Sequence, residues 1–134
     1  MSAETPAQKP QPQTSATATI HYAGPTLIFP VEETVDISGL KKVEFRWKPA
    51  DVPFEVFCYL FRIYRGRDMS QKSEVHAEQV SGLDTATEVS ADHFEDGEVY
   101  TWYIKEVNNG PPIMFSDPVF QSFRIIKKTD RQGG

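Results

Sequence analysis

The chain has 134 residues and a formal net charge of −5, and its length predicts one domain with a tail. The acidic balance disfavours nucleic acid as a partner, because phosphate binding needs a concentrated basic face. No apolar run is long enough to cross a bilayer and no signal-peptide core follows Met1, so we expect no membrane insertion.

Residues 1–24 are predicted to form a flexible, Pro-rich tail, because small polar residues and proline bury too little apolar surface to offset the entropy of ordering. Residues 15–22 differ within it, since Ala18, Ile20 and Tyr22 alternate with polar residues as in a strand. We predict either an arm that adds to a sheet of this chain or of a neighbour, or unpaired coil.

Three strands are predicted in the first half of the domain. Residues 27–36 form an edge strand that Pro30 interrupts. Residues 43–48 alternate without slip, which predicts one face in a core and one in water. Residues 57–64 alternate as well. The predicted inward set of that strand is Phe57, Tyr59, Phe61 and Ile63, and the outward set is Cys58, Leu60, Arg62 and Tyr64.

Four strands follow in the second half. Weaker edge strands are predicted near residues 75–80 and 85–89, and an acidic turn at 92–98 precedes a strong strand that begins at Tyr100. The last strand runs to Ile126 with a break near Asp117-Pro118, and residues 127–134 form a polar tail. No segment of useful length has helical periodicity.

Seven short strands at regular spacing predict a β-sandwich. The core pattern resembles a fibronectin type III domain, most closely the type found in bacterial envelope and secreted proteins. The residues that carry it are Phe45-x-Trp47-x-Pro49, Tyr59-x-Phe61-x-Ile63, Gly97-x-x-Tyr100-x-Trp102-x-Ile104 and Phe123-x-Ile125. The resemblance spans residues 25–126.

This resemblance implies an all-β, immunoglobulin-like, seven-stranded sandwich with Trp47 in the core. It also implies that Tyr100 is a corner tyrosine, whose hydroxyl returns to the backbone of the turn at 92–97. The Arg-Gly-Asp sequence by which some members bind integrins does not carry over. The last hairpin loop is 108–112, and in Arg65-Gly66-Arg67-Asp68 an extra Arg separates Gly from Asp.

The sequence offers no catalytic constellation. His21, His76 and His93 lie on three separate predicted elements, so we expect a surface role for each rather than a joint site. The acidic turn lacks the alternating spacing of a dedicated Ca²⁺ loop. Cys58 is expected to be a structural rather than a reactive thiol. We therefore predict no enzyme activity, no metal and no cofactor.

The candidate binding surface is the outward face of the third and sixth strands. Its predicted residues are Cys58, Leu60, Tyr64, Tyr103 and Phe120, with Ile20 and Tyr22 of the arm as a second contact. An apolar patch on a charged sandwich indicates a contact surface, unless the chain's own tail covers it.

The predicted function is a non-catalytic interaction or structural module in an extracellular or cell-envelope assembly. Its partner is predicted to be another protein, or a second copy of the chain bound through the apolar face or the arm. The alternative is a carbohydrate-binding accessory domain that stacks sugars on Tyr64, Tyr103 and the aromatic residues of the loops. The mixture of aliphatic and aromatic residues favours protein over sugar.

Overall fold

The computed structural model describes residues 21–52, 55–108 and 113–128, and these residues form two packed sheets. In chain order the strands are β1 (His21–Tyr22), β2 (Thr26–Phe29), β3 (Thr34–Asp36), β4 (Lys42–Lys48), β5 (Val56–Arg65), β6 (Glu74–Ser81), β7 (Ala86–Ser90), β8 (Val99–Asn108), β9 (Met114–Ser116) and β10 (Val119–Ile126). Single turns of 3-10 helix lie at Gln71–Ser73 and Ala91–His93. No helix in these ranges is long and apolar enough to cross a membrane.

The smaller sheet has the antiparallel order β2-β4-β7. In the larger sheet, β6, β5, β8 and β10 are consecutive antiparallel neighbours. β3 adds in parallel to the end of β10, and β9 pairs with β8 beside the start of β10. β1 adds in parallel to β9. The predicted all-β sandwich is confirmed.

The chain forms more strand segments than the seven predicted. The predicted edge strand at 27–36 is divided at Pro30 into β2 and β3, which belong to different sheets. The last strand is divided beside Pro118 into β9 and β10, as predicted. Both breaks fall at proline because this residue lacks the N–H that a continuous ladder requires.

Alternation decides which side chains enter the core. In β4, Phe45 and Trp47 are buried between exposed neighbours. The Phe45 ring centroid lies 5.2 Å from those of Phe61 and Trp102, which come from the opposite sheet. Trp102 Nε1 also donates a hydrogen bond of 2.9 Å to the Pro30 carbonyl oxygen. The core thus holds both sheets and the crossing between β2 and β3.

The prediction that Phe57 faces the core is wrong. The β5–β8 register shifts between Val56 and Cys58, so Phe57 is an extra residue in the ladder and is 53% exposed. Gly82 packs against this bulge, and its N–H donates to the Phe57 carbonyl oxygen over 3.1 Å. A Cβ at position 82 would lie 1.9 Å from the Val56 carbonyl oxygen, so only glycine fits there.

The turn before β8 is fixed by Tyr100 and Lys127. The Tyr100 hydroxyl accepts a hydrogen bond of 2.9 Å from the Glu95 N–H, which confirms the predicted corner tyrosine. Lys127 Nζ donates to the carbonyl oxygens of Ala91 and Phe94 from the opposite side. This end of the sandwich is therefore closed by side chains bonded to backbone.

Candidate binding surface

The outer faces of the two sheets differ in chemistry. On the smaller sheet, β4 presents Lys42, Glu44, Arg46 and Lys48 to solvent. Lys42 lies 3.9 Å from Glu88 of β7, and Arg46 lies 3.8 Å from Glu44. This outer face is a charged surface of the ordinary solvated kind.

The larger sheet carries aromatic and aliphatic side chains on its outer face. Four of the residues predicted for binding lie on this aromatic face, and they are Leu60, Tyr64, Tyr103 and Phe120. Tyr103 is the central residue, because it pairs with Arg62 of β5 on one side and with Phe120 of β10 on the other. Phe120 is 52% exposed. The strand register therefore brings the predicted residues together.

Two predicted residues are covered. Tyr64 is only 7% exposed, and its ring meets the Tyr103 ring edge-on, with centroids 6.4 Å apart and an interplanar angle of 85°. Cys58 is 4% exposed, and burial raises the pKa of its thiol. A covered, protonated thiol is a poor nucleophile. The accessible part of the aromatic face thus consists of Leu60, Tyr103 and Phe120.

The arm residue Tyr22 is half-buried and is held to the larger sheet by its backbone. Its backbone carbonyl oxygen accepts from the Asp117 N–H over 2.8 Å, and Tyr22 pairs with Ser116 in the parallel β1–β9 ladder. Gly24 then passes so close to β10 that a Cβ there would lie 2.3 Å from the Asp117 carbonyl oxygen. Tyr22 therefore adds to the chain's own sheet, while the other predicted arm residue, Ile20, lies outside the described residues.

The Tyr22 hydroxyl is buried beside the carboxylate of Glu106, a residue that was not among the predicted site residues. Glu106 is fully buried, and its Oε2 accepts a hydrogen bond of 2.6 Å from the Ala50 N–H. Burial and then the charge of Glu106 raise the pKa of Tyr59 to about 12, and the same two causes raise the pKa of Tyr22. These groups close one end of the core.

His76 and His93 are brought together, contrary to the expectation of separate positions. Their ring centroids lie 5.5 Å apart. His76 belongs to β6, and His93 ends the 3-10 turn that follows β7. His76 Nε2 lies 3.1 Å from Glu78 Oε1, and Thr87 Oγ1 donates to the same carboxylate. This contact joins the open edges of the two sheets.

The carboxylates of the acidic turn are bound by the Arg65 guanidinium and by a backbone N–H. Arg65 lies 2.8 Å from Glu95 and 3.4 Å from Glu98, and Asp96 accepts from the Lys127 N–H over 2.7 Å. Within residues 21–52, 55–108 and 113–128, no group of three or more His, Cys, Asp or Glu side chains is placed to hold a metal ion.

No protein-family model and no curated protein matches the chain. Among solved structures, the chain is similar to a computationally redesigned β-sandwich protein, with 20% identity and a TM-score of 0.55 over 83% of this chain and 97% of that one. It is also similar to the chicken CNTN1 FN1–FN3 domains, with 13% identity and a TM-score of 0.52. That match covers 93% of this chain and 35% of the CNTN1 chain.

A third match is the third fibronectin III domain of human KIAA0343 protein. The identity is 12% and the TM-score 0.50, over 93% of this chain and 99% of that domain. The chain has a fibronectin type III-like fold. At these identities the likeness establishes the fold alone.

The fibronectin type III-like fold explains why the aromatic face is a surface at all. Both faces of the larger sheet carry apolar side chains, but only one can pack against the smaller sheet. β8 shows this division, since Trp102 and Ile104 are buried in the core whereas Tyr103 lies between them on the outer face. The residues left outside are the candidates for contact with a partner.

Proposed function

We propose that the chain is a non-catalytic interaction module that binds a protein partner through the aromatic face. The observation that carries the proposal is the contrast between the two outer faces. Charged side chains cover the outer face of β4 around Arg46. The other face also holds the Arg62–Glu74 ion pair, but it presents Phe120 and Tyr103 side by side on neighbouring strands. Contiguous exposed apolar surface is uncommon on a monomer and is typical of contact surfaces.

The same residues suggest carbohydrate as a second candidate, because sugars stack on exposed aromatic rings. The geometry favours protein instead. Tyr64 and Tyr103 meet edge-on at 85° and Tyr64 is covered, so the two rings offer no flat platform for a sugar ring. Mixed contacts from Leu60, Tyr103 and Phe120, with Arg62 beside them, suit a protein surface, where aromatic residues and Arg are enriched.

A binding selection with two kinds of ligand tests the proposal. The full chain is screened against a random 12-residue peptide library and against a glycan array. We expect peptides to be selected and to bind Phe120→Ser at least tenfold more weakly than the parent chain. Leu83→Ser is the matched control, because Leu83 is an exposed apolar residue in the connection between β6 and β7 rather than on β5, β8 or β10. Binding to glycans, or an equal loss of peptide affinity in Phe120→Ser and Leu83→Ser, would contradict the proposal.

Self-association is tested by sedimentation at increasing protein concentration. A dimer that Phe120→Ser disrupts and Leu83→Ser preserves would identify the partner as a second copy of the chain. An extracellular or cell-envelope setting stays part of the proposal and rests on the resemblance of the core pattern to domains of secreted proteins.

A further inference from the structure

One stretch of β10 has a ladder partner on one side only. Residues 119–124 pair with β8, but β3 reaches the other side only from Arg124 onward. β1 and β9 pair beyond the opposite end of this stretch. Among the strands that the structure describes, none pairs with the outer edge of residues 119–123. A gap about four residues long therefore interrupts the edge of the larger sheet.

Backbone hydrogen bonds show which groups point into this gap. The Arg124 N–H donates outward to the Glu33 carbonyl oxygen over 2.7 Å, whereas the Ile125 N–H donates to Glu98 on the other side. Because the direction alternates along a strand, the N–H and C=O groups of Phe120 and Ser122 point outward, like those of Arg124. The Ser122 carbonyl oxygen accepts from Gln121 Nε2 at 3.2 Å. The described strands leave the N–H and C=O of Phe120 and the N–H of Ser122 without a ladder partner on this side.

A groove of about 420 Å³ lies along the gap. Its lining residues are Glu33, Thr34, Arg67, Phe120, Gln121, Ser122 and Arg124. The groove contains two guanidinium groups and one carboxylate, so it is net positive on a chain whose total charge is −5. The Arg124 guanidinium already donates to the Gly97 carbonyl oxygen.

Arg67 differs from Arg124, because it has no ion pair or side-chain hydrogen bond to any residue in the described ranges. The backbone directly before Arg67 is held by two hydrogen bonds of Gly66. The Gly66 N–H donates to the Val99 carbonyl oxygen at 2.6 Å, and the Gly66 carbonyl oxygen accepts from Thr101 Oγ1 at 2.7 Å. Thr101 Oγ1 also lies 2.7 Å from Ser122 Oγ, which ties this turn to the edge strand.

We propose that a short extended segment of an acidic partner protein adds as a strand to the outer edge of β10. Its backbone pairs with Phe120 and Ser122, an acidic side chain meets Arg67, and an apolar side chain two residues away packs on Phe120. The spacing of two follows from strand geometry, because residues i and i+2 share one face. An edge strand offers unpaired N–H and C=O groups to such a segment.

This inference rests on the proposed function, since Phe120 belongs to both the aromatic face and the groove. Its test uses the strongest peptide from the library selection and replaces each backbone N–H in turn by N-methyl. In strand addition only alternate N–H groups of the peptide face β10. We therefore expect N-methylation at every second position of the peptide to weaken binding at least tenfold. N-methylation at the positions between them should change binding little.

The charge contact is tested in the chain itself. Arg67→Gln is expected to weaken binding of the peptide at least fivefold. The affinity of this variant should also depend less on salt concentration than that of the parent chain. Arg46→Gln is the matched control, because Arg46 is an exposed Arg on the opposite sheet. A peptide without an acidic residue, or equal effects of the two variants, would overturn the charge assignment.

The outcomes separate the two proposals. Binding that depends on Phe120 but shows no alternation in the N-methyl scan would overturn strand addition and leave the aromatic face as the interface. Failure to select any peptide that depends on Phe120 would overturn both. An alternating scan together with the Arg67 effect is the result expected for strand addition.

Discussion

Trp47→Ala tests the packing of the two sheets most sharply. Trp47 is 3% exposed, and its ring centroid lies 5.2 Å from that of Tyr59 and 6.1 Å from that of Phe61. A buried Trp removes up to about 250 Å² from water, which at about 25 cal/mol per Å² gives an upper estimate near 6 kcal/mol. Truncation of buried aromatics typically costs about 3–5 kcal/mol. We therefore expect Trp47→Ala to lower the free energy of unfolding by about 4 kcal/mol.

The assay is urea denaturation followed by far-UV circular dichroism, because this signal does not depend on the Trp that is removed. Arg46→Ala is the control on the outward face of the same strand, and it should change the free energy of unfolding by less than about 0.5 kcal/mol. Trp47→Phe should lose less stability than Trp47→Ala, since it keeps an aromatic ring against Tyr59 and Phe61. A loss below about 1 kcal/mol for Trp47→Ala would refute this account of the core.

Three further predictions concern stability. Tyr100→Phe should cost about 1 kcal/mol in the same assay, because the hydroxyl accepts from the Glu95 N–H; an unchanged midpoint would count against that bond. The pKa of Tyr59 is about 12 in the folded chain and about 10 when unfolded, so its contribution is present below pH 10 and is lost as pH rises toward 12. In that window, Tyr59→Phe should make the fall of stability with pH shallower by up to about 1.4 kcal/mol per pH unit, and an unchanged slope would contradict the shift. Gly82→Ala should lose at least about 2 kcal/mol, because the new Cβ would meet the Val56 carbonyl oxygen; a thermal melt at the parent midpoint would show that the bulge can relax.

Local alternation was sufficient to predict the strands that form the core. Phe45 and Trp47 are buried as predicted, because neither β4 nor the centre of β8 departs from period two. The corner hydrogen bond of Tyr100 came from the resemblance to a known family and is confirmed. Tyr103 and Phe120 were predicted to lie on one surface, and the register of β8 and β10 makes them direct cross-strand neighbours.

Glu106 was missed although the sequence contained a signal for it. The inward alternation that includes Trp102 and Ile104 continues to Glu106, which places a carboxylate on the core face. A buried carboxylate needs partners, and these come from distant parts of the chain, Ala50 and Tyr22. Periodicity gives the face of a residue but not its partners.

The remaining differences depend on contacts between distant segments. The bulge at Phe57 is stabilised by the close approach of Gly82, and nothing local to either residue indicates their pairing. His76 and His93 meet only because the edges of the two sheets approach each other. The open edge of β10 similarly depends on where β3 begins to pair.

The most direct test of the proposed interface is the change in backbone amide NMR shifts when the selected peptide is titrated into the full, ¹⁵N-labelled chain. We expect the largest changes at Tyr103, Phe120 and Ser122, with the Ser122 amide protected from hydrogen exchange in the complex. The amides of Lys42–Lys48 in the smaller sheet should stay unchanged. Changes confined to the smaller sheet, with none at Tyr103 or Phe120, would contradict the assignment of the aromatic face as the binding surface.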